Sequence, residues 1–89
     1  MSIRVLDFYA TWCIPCKKLD FYLKLFENKY SNVNFEKINI EKEETMHLTD
    51  KYKIKSLPTI IILDKNNNIL SRIEGFDPQL ILNELEKFT

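Results

Sequence analysis

Cysteine is scarce in this sequence. Only Cys13 and Cys16 occur in 89 residues, so one disulfide at most can staple the chain. Their spacing of three positions closes a very small loop and removes little entropy from the unfolded state, which argues against a structural purpose. Histidine is scarcer still, with His47 alone. A tetrahedral zinc needs four ligands, and two cysteines plus one histidine on a polar segment do not supply them within one chain. Two subunits sharing four thiolates would be required.

Net charge is also missing. Thirteen basic and thirteen acidic side chains cancel, and their interleaving leaves no basic face for nucleic acid or anionic lipid. No apolar run approaches the roughly eighteen residues of a membrane span, and the N-terminal Met-Ser-Ile-Arg-Val-Leu-Asp lacks the pattern of a secretory leader. A soluble, cytoplasmic protein without a membrane or nucleic-acid partner is expected. Repeats, Pro/Ser-rich linkers and low-complexity segments are absent, apart from Asn66-Asn67-Asn68, which is short enough to be a turn. What the chain does have is 45% hydrophobic residues and eleven aromatic side chains. That suffices for one compact core, so residues 1–89 are expected to form a single domain.

Hydrophobic periodicity orders the elements. Ile3–Tyr9 has apolar residues on both alternating sets, Ile3, Val5 and Tyr9 against Leu6 and Phe8, as in a strand covered on both faces. Asp7 is the exception. Thr11 is a candidate cap, and across residues 15–30 Leu19, Tyr22, Leu23, Phe26 and Tyr30 recur at helical spacing. Residues 33–40 read as a second strand, and strand, helix, strand in this order predicts a right-handed parallel crossover between neighbours. Residues 43–52 form a weaker, polar helix for the other side of the sheet. Leu57-Pro58-Thr59 opens the strand Ile60-Ile61-Ile62-Leu63, a turn occupies residues 64–68, and Ile69–Glu74 completes a hairpin. Asp77 as N-cap and Pro78 at the first helical position start a closing helix. Its inward face is expected to hold Leu80, Ile81, Leu82, Leu85 and Phe88. The order is βαβαββα, an α/β chain.

The dithiol carries the chemistry. A cysteine just before a helix meets free N–H groups and the positive end of the helix dipole, which lower a thiol pKa from about 8.5 to roughly 3.5–7.5. Cys13 is therefore the candidate nucleophile. Cys16, one turn in and expected to be more buried, can attack the mixed disulfide that Cys13 forms. Pro15 suits the first helical turn, where its missing donor costs nothing. Asp7 lies mid-strand among apolar neighbours, so a raised pKa is expected; a satisfied structural hydrogen bond is the alternative. Pro58 fits only at the start of a strand or on an edge. As the one glycine, Gly75 marks a site of close backbone approach or positive φ, or a plain turn.

The segment Val5-Leu6-Asp7-Phe8-Tyr9-Ala10-Thr11-Trp12-Cys13-Ile14-Pro15-Cys16-Lys17 resembles the active-site segment of thioredoxins. Ser56-Leu57-Pro58-Thr59 resembles their second signature, a cis-proline loop. Lys37-Ile38-Asn39-Ile40 and Gly75 also fall where that family has matching elements, so the resemblance covers nearly the whole chain. It implies a minimal thioredoxin fold, a four-stranded mixed sheet with helices on both faces. The implied activity is that of a thiol-disulfide oxidoreductase, foremost a monomeric dithiol reductase of protein disulfides. Such a protein needs no bound cofactor and is kept reduced by a separate reductase. By the same resemblance Asp7 assists proton transfer at Cys16, with Lys37 matching the lysine near it. Cis-Pro58 packs against the dithiol, and the Leu57 backbone pairs with an extended substrate segment. Trp12, Ile14, Pro15, Leu57, Pro58, Gly75 and Phe76 would form an apolar collar around Cys13, although the bulk of Trp12 also suits a core position.

Departures from the family pattern bear on partner choice. The first strand and helix of longer members are not represented, which leaves residues 33–40 on an edge where Lys37 and its Asn and Glu neighbours discourage strand pairing. Ile14 replaces the usual glycine beside the attacking sulfur. Phe21 stands where many members have a kinking proline, so a straighter helix is expected, and the segment between Ile40 and Tyr52 is slightly longer. The inner pair Ile-Pro disfavours a glutaredoxin-type glutathione site. An oxidase or isomerase differs from a reductase only in redox poise. A binding module with secondary redox chemistry would need neither the intact cysteine pair nor Asp7.

Overall fold

In the computed structural model, which describes residues 3–89, four strands and three α-helices follow in the expected order. They are β1 (Ile3–Tyr9), α1 (Ile14–Lys29), β2 (Val33–Asn39), α2 (Met46–Lys51), β3 (Thr59–Leu63), β4 (Ile69–Glu74) and α3 (Pro78–Phe88), with a 3-10 turn at Glu43–Thr45 leading into α2. Met1 and Ser2, part of the expected domain span, lie outside the described residues.

The strands form one mixed sheet in the order β2-β1-β3-β4, with β2 parallel to β1 and the other pairs antiparallel. Alternation along β1 divides its side chains between two faces. Ile3 and Val5 join Ile60, Ile62 and Ile73 under Leu19, Leu23 and Phe26 of α1 and Ile81 and Leu85 of α3. Leu6 and Phe8 face the opposite way, with Ile38, Ile61 and Leu63, and pack beneath Leu48 of α2 and Tyr52. Each such side chain contributes about 1.5–3 kcal/mol when fully buried. Covering both faces leaves the end of β1 between two helix layers, where the chain turns into α1.

Local chemistry explains the boundaries. Asp77 accepts the Leu80 N–H at 3.1 Å and starts α3 with Pro78 in its first turn. In the β3–β4 turn, Asp64 accepts the N–H groups of Asn66 and Asn68 at 2.8 and 2.9 Å, while Asn67 takes φ 66°, so the turn dispenses with glycine. Several expectations change. Thr11 is exposed and is not the cap of α1; that position belongs to Cys13. Residues 43–52 split into the 3-10 turn and the short α2. Leu80 and Tyr22 are exposed, because Ile81 and Leu85 in α3 and Leu19, Leu23 and Phe26 in α1 occupy the inward stripes. Through Phe21, which is exposed, α1 runs unbroken.

Candidate active site

At the end of β1 the chain tightens, with the Cys13 N–H donating to the Ala10 carbonyl at 3.2 Å. Cys13 then caps α1, its Sγ accepting the Cys16 N–H at 3.2 Å. The two cysteines are joined as a disulfide with Cα atoms 5.2 Å apart. On reduction the Cys13 sulfur sits at the helix N-terminus, where the N–H groups and the dipole favour a thiolate. Cys16 is no more buried than Cys13, since each is 5% exposed. Their surroundings distinguish them instead. Cys13 lines a groove of about 530 Å³ with Trp12, Ile14, Pro15 and Leu57. Cys16 lines a different cavity, of about 310 Å³, with Thr11, Lys17, Asp20 and Lys37.

Next to the groove, the Leu57–Pro58 peptide is cis, and Pro58 is buried just before β3. The Pro58 carbonyl accepts the Gly75 N–H at 2.8 Å, which ties this loop to the end of β4. Gly75 has φ +90°, and a Cβ built there would meet nothing within 4 Å. Positive φ, not close approach, is therefore what requires glycine.

Asp7 lies opposite Lys37 on β2 and Ile60 on β3, buried to 4% exposure. Its Oδ1 receives no hydrogen bond from any described residue, so the satisfied structural carboxylate is not what is found. The Lys37 ammonium stands 3.7 Å from Asp7 Oδ2 but 2.6 Å from Asp20 Oδ1. Burial pushes the Asp7 carboxyl up to about 6; the Lys37 charge opposes this and the Asp20 charge adds to it. The hydrogen bond from Lys37 holds the Asp20 carboxyl below the usual carboxylate range. Partial burial works against the Lys37 charge, but Asp20 and Asp7 outweigh it and its pKa is raised. Among the described residues no three His, Cys, Asp or Glu side chains cluster to hold a metal ion, and no helix is long and apolar enough to cross a membrane.

The family model described as Thioredoxin matches residues 1–87. This chain belongs to the thioredoxin family. Thioredoxin-1 of Drosophila melanogaster is 40% identical over 87 residues, which cover 97% of this chain and 78% of that protein. The solved germline-specific thioredoxin Deadhead from the same fly superposes with a TM-score of 0.90 at 38% identity, covering 99% of this chain and 82% of that one. A solved malarial protein matches with a TM-score of 0.85 at 30% identity, covering 98% of this chain and 97% of that one. As a thioredoxin with an intact Cys13–Cys16 pair, the chain is a thiol-disulfide oxidoreductase.

Within this thioredoxin the expected collar is only partly assembled. Trp12, Ile14, Pro15 and Leu57 share the groove with Cys13. Trp12 is 63% exposed, its Nε1–H donating to Glu41 Oε2 at 3.0 Å, so it is not a core residue. Pro58 and Gly75 do not line the groove and are hydrogen-bonded to each other. Phe76 is turned toward Tyr22, with ring centroids 5.9 Å apart, and does not line the groove. Ile40, Ile54, Lys55 and Ser56 do line it and went unforeseen. Ile40 and Ile54 are apolar residues just outside regular elements, the one signal that could have pointed to them. Asp20 had no such signal, because its meaning comes from the packing of α1 across β2.

Proposed function

We propose that this thioredoxin is a dithiol reductase of protein disulfides, with Cys13 as nucleophile and Cys16 as resolving thiol. The placement of Cys13 in an apolar groove and of Cys16 in a second cavity with charged residues in its wall is the observation that carries this reading. The Cys13 thiolate attacks one sulfur of a substrate disulfide; a Cys13–substrate disulfide forms and the other substrate sulfur leaves as a thiolate. Cys16 then loses its proton to the Asp7 carboxylate and attacks Cys13 Sγ. The mixed disulfide breaks, the second substrate sulfur leaves, and the Cys13–Cys16 disulfide remains. Two electrons pass to the substrate, whose two thiolates take up two protons.

Lys37 modulates Asp7 in this reading. Trp12, Ile14, Pro15 and Leu57 receive an extended substrate segment, and cis-Pro58, Gly75 and Phe76 shape the loops beside it. The apolar lining supports that role, since burying substrate side chains there is favourable. A separate reductase protein returns the disulfide to the dithiol, so the chain works as an electron carrier. Residues 1–89 act as one domain, as a monomer in the cytoplasm, a compartment where disulfides are mostly transient and catalytic.

The test is turnover of a disulfide-bonded protein by wild type, Cys13→Ser and Cys16→Ser. Wild type should reduce it, Cys13→Ser should not, and Cys16→Ser should accumulate a covalent substrate adduct. Equal turnover by Cys13→Ser and wild type would overturn the reading.

A further inference from the structure

Asp20 has no part in the reading above, yet it lines a cavity beside each of the two groups that exchange a proton in it. The cavity beside Cys16 and a smaller one of about 70 Å³ beside Asp7 share one wall, and both are lined by Asp20 and Lys37. From the second turn of α1, Asp20 spreads its carboxylate between two ammonium groups. Oδ1 accepts from Lys37 at 2.6 Å and Oδ2 lies 3.3 Å from Lys24. Lys37 is therefore claimed twice, by a partly exposed carboxylate at hydrogen-bond distance and by a buried one at 3.7 Å. The shorter contact wins.

We propose that Asp20 is a positioning residue, which holds the Lys37 ammonium beside the Cys16 cavity and off the buried carboxyl of Asp7. The alternative partner is fixed by register, since Asp7 and Lys37 are paired across β1 and β2 and project to the same face. The other charged groups near Asp7 do not take over the task. Lys24 and Glu27 of α1 and Glu36 of β2 share the small cavity, but Lys24 is paired with Asp20 and Glu36 with Arg4 at 2.6 Å. On the Cys16 side stand Tyr9, over whose ring Lys37 Nζ lies at 4.4 Å, and Lys17. From β3 only uncharged Thr59 to Leu63 approach, and the ion pair between α3 and α1 lies at the far end of α1, where Lys29 is 3.6 Å from Glu86.

The arrangement matters because a lysine tight against Asp7 would hold its pKa low and leave it a poor acceptor for the Cys16 proton. With the ammonium held by Asp20, burial dominates and the carboxyl titrates close to neutrality, where it can take up and release the Cys16 proton. No bond to Asp20 is made or broken. The consequence for turnover rests on the proton-transfer role proposed for Asp7; the position of Lys37 does not.

The experiment is an NMR pH titration of the Asp7 carboxyl in the oxidised protein, where neither cysteine titrates, paired with the pH profile of the resolving step. In Asp20→Asn, loss of one negative charge and release of Lys37 act in the same direction. The Asp7 midpoint should fall from about 6 by about one pH unit. Lys37→Met should raise it, and Asp20→Glu should restore the wild-type value. An unchanged or raised midpoint in Asp20→Asn would overturn the proposal, as would a lowered midpoint in Lys37→Met. A midpoint that falls while the kinetic profile stays fixed supports the positioning by Asp20 and removes Asp7 from the proton transfer.

Discussion

The two cysteines of this disulfide are equally buried as residues and line different kinds of cavity. On the Cys13 side the wall is Trp12, Ile14, Pro15, Ile40, Ile54 and Leu57, with Lys55 the one charged residue. On the Cys16 side the wall is Tyr9, Ala10 and Thr11 with the charged Lys17, Asp20 and Lys37, and Asp7 lines the adjoining small cavity. Burial alone therefore does not divide the labour between two cysteines one helical turn apart. The division comes from which elements line each cysteine's cavity: the start of α1 and the loop ahead of β3 for Cys13, and the end of β1, α1 and β2 for Cys16. An apolar side suits a partner chain, and a charged side suits proton traffic.

Substitutions on one side should leave the other side's step intact. Asp7→Asn should have the largest effect, slowing resolution of the mixed disulfide by about 10²-fold near neutral pH while the first attack by Cys13 keeps its rate. Quenched-flow measurement of both steps checks this. The same variant should be more stable than wild type. The folded Asp7 pKa of about 6 lies above the ordinary value of 3.8, so its contribution is fully present below about 3.8 and is lost as pH rises through about 6. At pH 8 Asp7→Asn should gain about 2–3 kcal/mol in denaturant unfolding, and the gain should vanish below about pH 3. A uniform gain at both pH values would point to packing and not to charge.

A smaller effect belongs to the groove. Leu57→Ala removes apolar surface that a substrate would bury, and kcat/KM for a protein disulfide should fall about tenfold with the resolving step unchanged. Slower resolution in this variant would erase the distinction between the two sides. Smallest is Trp12→Phe, which loses the exposed hydrogen bond to Glu41. Its stability should change by no more than about 1 kcal/mol in thermal unfolding.

Much of this was legible in the residue order because local rules sufficed. Short apolar runs bounded by turns and helical spacing located the four strands and the two long helices, and Asp77 with Pro78 announced α3 at the right residue. The dithiol at a helix start, Asp7 in an apolar strand and the single glycine were local anomalies that the structure accounts for as capping, a raised pKa and positive φ. What escaped depended on packing between distant elements. Trp12 has the bulk of a core residue but is held at the surface by Glu41, twenty-nine positions away. Phe76 is close in sequence to Gly75 yet turns toward α1. Asp20 looks like any polar residue on an exposed helix face until β2 brings Lys37 beneath it.

The most direct test of the unequal roles of two equally buried cysteines is the rate of alkylation of each in the reduced protein against pH, resolved by peptide mapping. Cys13 should react first, with a midpoint below the ordinary thiol value of about 8.5, and Cys16 should stay protected until higher pH. Alkylation of Cys16 at the same rate as Cys13, or ahead of it, would contradict the account.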